Sequence, residues 1–329
     1  MNNVTEIVIC DDSSFARKQI SRAFPEAWAS EITFAKNGEE AMQYLRSGQC
    51  EILILDLNMP VMDGYQVLES MLVEDLECKV VVVSGDIQPG AYKRVMELGA
   101  MDFIKKPVAS QELVDAFIKL GIVFDAGQTA REVDVAVDAM DSYKEIANVA
   151  VGQAADLLAR YLDVFVEMPI PHVSMLEASE LTMVFNQSEK GEEVTIVCQG
   201  FIGAGISGEG ILIVNQSCTD DIADLLKYEG ERSDAIRQEL LVEAASMFIN
   251  ASMQGIAEQL DISFSMGPPI VMGDFLHATQ LIESNAGRWN NILAVEMQSK
   301  IEDKGISADL LLLFTEDSLK PLNVLVGYL

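Results

Sequence analysis

The chain of 329 residues reads as an α/β protein in two parts. A doubly wound unit with a five-stranded parallel sheet comes first, followed by an α/β domain of two pseudo-symmetric repeats. Three observations predict this. Over the first 120 residues, short and nearly all-apolar runs alternate with amphipathic helical patterns, the mark of a parallel sheet covered on both faces. The second half of the chain matches itself at a nearly constant offset. Finally, the length exceeds one ordinary domain, and 50% of the residues are apolar, enough to build a core in each part.

The apolar runs Ile7–Cys10, Ile32–Ala35, Ile52–Leu55, Val80–Val83 and Phe103–Ile104 are the expected strands. Helical patterns cover 15–46 around the second run, then 65–75, 90–98 and 110–120. Ligands in such sheets bind beyond the carboxyl ends of the strands, so the residues that follow each run matter most. The first run leads into Asp11-Asp12, the third into Asp56, the fourth into Ser84 and the fifth into Lys105-Lys106-Pro107. Three carboxylates, a hydroxyl and a lysine therefore gather at one edge. Clustered carboxylates repel one another unless a hard cation joins them, and magnesium is the natural candidate. With magnesium and an ammonium in place, one carboxylate can accept a phosphoryl group whose developing charge is neutralised.

Those residues resemble the response-regulator receiver family, CheY-like in size. The resemblance rests on Asp11-Asp12, the run Leu55-Asp56-Leu57-Asn58-Met59-Pro60-Val61-Met62-Asp63-Gly64, Ser84-Gly85 and Lys106-Pro107. It implies a receiver domain over 1–121, with Asp56 as phosphoacceptor. It also implies magnesium among Asp11, Asp12, Asp56 and the Asn58 backbone carbonyl, Ser84 and Lys106 as phosphoryl contacts, and Phe103 at the aromatic switch position. A histidine kinase is the implied phosphodonor.

Residues 122–137 read as a short linker with a turn signal at Asp125-Ala-Gly127-Gln, and a strong helical pattern begins at 138. The segment Asp141–Pro171 matches Glu239–Pro269 at an offset of 98, pairing Glu145 with Glu243, Leu162 with Leu260 and Asp163 with Asp261. Further on, Gly205-Ile-Ser207 matches Gly305-Ile-Ser307 at an offset of 100. The repeats span about 138–228 and 236–329 within a domain at 138–329. Each comprises a long helix, a strand, a β-hairpin and a further helix, and two such units are expected to join their strands into one sheet.

Along the repeated helix, Asp141, Glu145 and Asn148 fall at i, i+4 and i+7 on one stripe. Taken alone, Asp141 reads as an N-cap and Glu145 as a first-turn acid suited to the helix dipole. The spacing adds information: Asn148 lies 23 residues before Pro171, and Ser246 lies 23 before Pro269. This pattern resembles the CheC/CheX/FliY phosphatase family, whose signature is an Asp or Ser, then Glu, Asn and a distant Pro. The first copy matches in full with Asp141, Glu145, Asn148 and Pro171. The second keeps Glu243 and Pro269 but has Glu239 and Ser246 at the other two places. The resemblance implies a helix that docks over a phosphorylated receiver, its Glu pairing with the receiver's lysine and its Asn holding a water in line with the acyl phosphate. Ser246 is shorter than Asn, so activity is expected at the first site, with the second vestigial or used for docking.

Composition narrows the alternatives. The formal charge is −30, with net −9 over 1–125 and −21 over 126–329, which disfavours nucleic acid and anionic lipid as partners. Five scattered cysteines without a CxxC fit reduced thiols better than a disulfide framework or a zinc site. No apolar run approaches membrane-spanning length and the start lacks a basic region, so membrane insertion and a signal peptide are not expected, and the location is expected to be cytoplasmic. A methylesterase output needs a Ser-His-Asp set, and His172 and His277 offer no recognisable triad. The leading expectation is a chemotaxis-type response regulator whose second domain hydrolyses aspartyl phosphate on a separate CheY-like receiver, under control of Asp56. The alternatives are action on its own receiver, within the chain or across a homodimer, and a non-enzymatic adaptor gated by phosphorylation.

Overall fold

The computed structural model describes residues 5–24, 30–121, 139–177, 180, 194–273, 291–301 and 305–327. The linker expected at 122–137 lies outside them. The chain divides into two compact units, Met1–Gly152 and Gln153–Leu329, and the division falls within the residue range of one long helix.

The first unit holds a parallel sheet of β1 (Thr5–Cys10), β2 (Ser30–Ala35), β3 (Ile52–Leu55), β4 (Lys79–Ser84) and β5 (Asp102–Lys105), in the order β2-β1-β3-β4-β5. Strand residues alternate between two cores because successive side chains point to opposite faces. Ile7, Ile9, Ile52, Ile54, Val81 and Val83 meet Ile20, Ala23, Leu113, Ala116 and Phe117 on one face. Val8, Cys10, Leu53, Leu55, Val80 and Val82 meet Met42, Leu45, Val67, Leu68 and Val95 on the other. Helices α1 (Ser14–Ala23) and α5 (Ser110–Lys119) thus cover the first face, and α2 (Gly38–Ser47), α3 (Gly64–Glu74) and α4 (Pro89–Glu97) the second. The helical pattern expected over 15–46 resolves into α1 and α2 on either side of β2.

Local chemistry sets the helix ends nearest the strand edge. Ser13 caps α1, its hydroxyl accepting from the Ala16 N–H at 3.1 Å. Asp63 and Gln66 form a reciprocal capping box on α3. The unit is completed by residues 139–152 of α6 (Ala139–Leu162).

The second unit holds an antiparallel sheet of β6 (His172–Leu176), β7 (Val194–Gly203), β8 (Ile206–Asn215), β9 (Ser265–Met266), β10 (Ile270–Gly273), β11 (Ile292–Ile301) and β12 (Ile306–Phe314). Its main path runs β10-β7-β8-β12-β11-β6, with β9 also paired to β7. The path reads the same from either end once the repeats are exchanged, because each repeat's short strand borders the other's hairpin. Register makes the symmetry quantitative. Val173 pairs with Val295, and adding 98 to one partner while subtracting 98 from the other gives the observed pair Val271 and Val197. In the middle of the sheet Ile211 pairs with Leu311, its own equivalent at offset 100, so the pseudo-two-fold axis passes there. The offset grows from 98 to 100 because two residues separate β7 from β8 and four separate β11 from β12.

Helices α7 (Thr219–Leu225), α8 (Asp234–Leu260) and α9 (Glu316–Val326) belong to this unit. Asp163 after α6 and Asp261 after α8 take the same left-handed conformation, φ 58° and 52°, which an Asp tolerates better than most residues. By length and composition α8 could cross a membrane, and 61% of its most apolar window is buried in the fold.

Glu209 and Asp309 are equivalent at offset 100 on the central strands, and burial raises both carboxyl pKa values, with Lys300 opposing at Asp309. A carboxyl whose folded pKa is raised contributes most at low pH and loses that contribution as pH climbs through the shifted value. Glu209→Gln removes this loss. Its melting temperature should therefore gain on the parent's as pH rises from below the ordinary glutamate range to neutrality, and a difference that stays constant contradicts the assignment.

Candidate functional site

The carboxyl edge of the parallel sheet assembles the residues singled out in the sequence. Asp11 follows β1 and is fully buried; its Oδ1 accepts from the Ser13 N–H at 2.9 Å. Asp56 follows β3 at 2% exposure, and its Oδ2 accepts from the Asn58 N–H at 2.9 Å. Ser84 ends β4, fully buried, with its Oγ accepting from the Asp86 N–H at 3.1 Å. Phe103 on β5 is half-buried and meets Tyr92 edge to face, centroids 5.9 Å apart.

Lys106 unites the cluster. Its ammonium, 3% exposed, lies 2.7 Å from Asp11 Oδ2, 3.0 Å from Asp56 Oδ1 and 3.0 Å from Glu145 Oε1. Glu145 belongs to α6, so the helical part of the first-repeat motif sits on the carboxyl edge of the parallel sheet within the first unit. Asp141, one turn earlier, accepts from Ser14 Oγ at 2.5 Å. Asn148, one turn later, is buried, and its Oδ1 has no hydrogen-bond partner among the described residues.

Electrostatics follow from four carboxylates around one buried ammonium. Burial raises the Asp56 pKa well above the ordinary value, opposed by Lys106 and reinforced by Asp11, Glu145 and Asp12. Burial likewise lifts Glu145 to about 7 against the pull of Lys106, and lifts Asp12 to about 6 with help from Asp11. Burial alone would lower the Lys106 pKa, but Asp11, Asp56 and Glu145 outweigh it and hold the ammonium charged.

This excess of negative charge suits a hard divalent cation. Among the described residues no three acidic, His or Cys side chains form a ready-made metal cage. Magnesium does not require one, since it binds through one or two carboxylates and keeps several waters. Asp11 and Asp56 meet Lys106 as ion pairs without well-directed hydrogen bonds, leaving oxygen lone pairs for such an ion.

The remaining expected residues divide by repeat. Pro171 is buried. In the second copy Glu239 and Glu243 are exposed, and Ser246 and Pro269 are half-buried. His172 is exposed at the start of β6, and His277 lies outside the described residues. Two contributors were not foreseen. Arg17 is buried, donating from Nη1 to the Asp11 carbonyl at 2.5 Å, and Ser14 binds Asp141. An Arg or Ser in an amphipathic helix ordinarily faces water, so neither carried a sequence signal.

The doubly wound sheet with acids, a hydroxyl and a lysine at its carboxyl edge defines a flavodoxin-like α/β domain with a buried ionic site at its strand ends. Residues 7–118 match the response regulator receiver domain. The chain is 31% identical over 114 residues to the chemotaxis protein CheY of Listeria monocytogenes, covering 35% of this chain and 96% of that protein. It therefore belongs to the response regulator receiver family. It is also 34% identical over 110 residues to the protein-glutamate methylesterase/protein-glutamine glutaminase of Halalkalibacterium halodurans, covering 32% of each protein. The chain thus spans about a third of the length of the methylesterase relatives it matches. Among solved structures, Thermotoga maritima FliY aligns with 60% of this chain and 99% of its own, with a TM-score of 0.45 and 20% identity.

If Asp11, Asp12 and Asp56 hold magnesium, the ion stabilises the folded first unit by mass action, about 2.7 kcal/mol at a hundred times its dissociation constant. Thermal melts should rise with added magnesium in the parent and respond weakly in Asp12→Ala. Equal responses in both chains would rule Asp12 out as a ligand.

Proposed function

We propose that the chain is a self-limiting response regulator: Asp56 accepts a phosphoryl group from a histidine kinase, and the α6 motif hydrolyses it on the same chain. One observation carries this reading. Glu145 already pairs with Lys106 at 3.0 Å, and Lys106 contacts Asp56 at the same distance. A motif reserved for a separate receiver would have to release that pair first, so the geometry favours the chain's own receiver over the action on a separate CheY-like protein expected from sequence. The second unit is read as a CheC-like domain, with α6 shared between domain and site.

The roles follow from placement. Lys106 and Ser84 contact the phosphoryl oxygens, and Phe103 senses the change at the edge. Magnesium bound by Asp11, Asp12, Asp56 and the Asn58 carbonyl would neutralise charge on those oxygens. Glu145 anchors α6 by its pair with Lys106, assisted by Asp141 on Ser14. Asn148 offers a free Oδ1 acceptor and an amide donor, so it can fix one water in a single orientation. That water attacks phosphorus, the acyl P–O bond breaks, Asp56 leaves as carboxylate, and the water's protons depart with inorganic phosphate. Aspartyl phosphate is already activated, so positioning supplies most of the acceleration. Ser246 offers a shorter side chain, and the second motif is read as inactive.

Asn148→Ala in the full chain should lengthen the lifetime of phosphate on Asp56 by ten- to a hundredfold, followed by loss of radiolabel after the donor is removed. An unchanged lifetime would refute the assignment of Asn148.

A further inference from the structure

We infer that Gly85 and Gly152 form a steric key that selects the receiver on which the motif helix can close: one bearing glycine directly after its phosphoryl-contact hydroxyl. The inference rests on the reading that Asn148 acts on Asp56, and it adds the determinant of partner choice.

The two glycines meet backbone to backbone. A Cβ on Gly152 would overlap the Gly85 carbonyl group and the Asp86 amide nitrogen. A Cβ on Gly85 would lie 2.8 Å from Val149 Cα and within 3.4 Å of the Val149 and Asn148 carbonyl oxygens. These neighbours are main chain, so no rotamer change relieves the overlap and the helix itself must move away. Gly85 follows Ser84, and Gly152 lies one helical turn beyond Asn148 on the same stripe. A helix lifted at Gly152 therefore carries Asn148 away from Asp56, and a displacement on the order of 1 Å is enough to cost a positioned reaction a hundredfold.

Glycine also weakens a helix interior relative to alanine, so its presence at 152 runs against local propensity. The second repeat supplies the internal comparison. At the same offset of 98, Asn250 stands at the position of Gly152 and is exposed on α8, while Ser246 stands at the position of Asn148. The second helix thus lacks the clearance as well as the amide. By the same geometry, a receiver with alanine or anything larger after its phosphoryl-contact hydroxyl is excluded from α6.

The test uses the full chain carrying Gly152→Asn, which installs the second repeat's residue, with Gly85→Ala and Asn148→Ala alongside. Each chain is phosphorylated with acetyl phosphate in magnesium buffer. Phosphate lifetime on Asp56 is measured together with hydrogen exchange in segments 84–88 and 139–152. Gly152→Asn and Gly85→Ala should each lengthen the lifetime at least tenfold and raise exchange in both segments. Asn148→Ala should lengthen the lifetime with exchange unchanged. A Gly85→Ala chain that matches the parent in both readouts overturns the key, even if Gly152→Asn perturbs the helix. Silent glycine variants beside a slow Asn148→Ala chain reject the key alone, whereas a normal lifetime in Asn148→Ala rejects the underlying reading.

Discussion

The buried ammonium of Lys106 is the constraint on which the first unit's chemistry depends. Taking an ammonium out of water costs several kcal/mol, and so does burying each carboxylate beside it. Neither is tolerable alone. Asp11, Asp56 and Glu145 lie within 3.0 Å of the same nitrogen, so the ammonium is compensated from three sides and the three carboxyl groups share its single positive charge. Two of those acids come from strand ends of the sheet and the third from α6. The ion cluster therefore ties a helix near residue 145 to a strand edge near residue 56, and whatever alters charge at Asp56 also alters the seat of Glu145.

That coupling gives the duplicated motif its asymmetry. Both copies share register, the C-terminal end of the long helix and the left-handed Asp that follows it. Yet Glu145 is 4% exposed and paired, whereas Glu243 is open to solvent. The difference is one of partners rather than fold: the first copy has an ammonium to meet and a glycine that permits approach. In the second copy Ser246 and Asn250 stand at the positions of Asn148 and Gly152, and the symmetric sheet remains as its scaffold.

Much of this was legible in the sequence. The strand ends could be read because a parallel sheet sends its ligand-bearing residues to one edge: Asp11, Asp56 and Ser84 each follow an apolar run directly, and Lys106 follows its run by one residue. The repeat offset anticipated a symmetric sheet, although only the paired register located the axis at Ile211 and Leu311. Other features depend on tertiary contact and leave no periodic trace. Arg17 and Ser14 look like surface residues of α1 until Asp11 and Asp141 are placed beside them. Gly152 was not singled out in the sequence, because the main chain it clears lies 67 positions earlier, at Gly85. Which receiver the motif would meet was likewise undetermined, since Glu145 can pair with any suitably placed lysine.

A motif that acts within its own chain fixes the order of the reaction. Phosphate loss from Asp56, followed after donor removal over a hundredfold range of protein concentration, should be first order with the same rate constant throughout. An apparent first-order rate constant that rises in proportion to protein concentration would place the reaction between molecules instead.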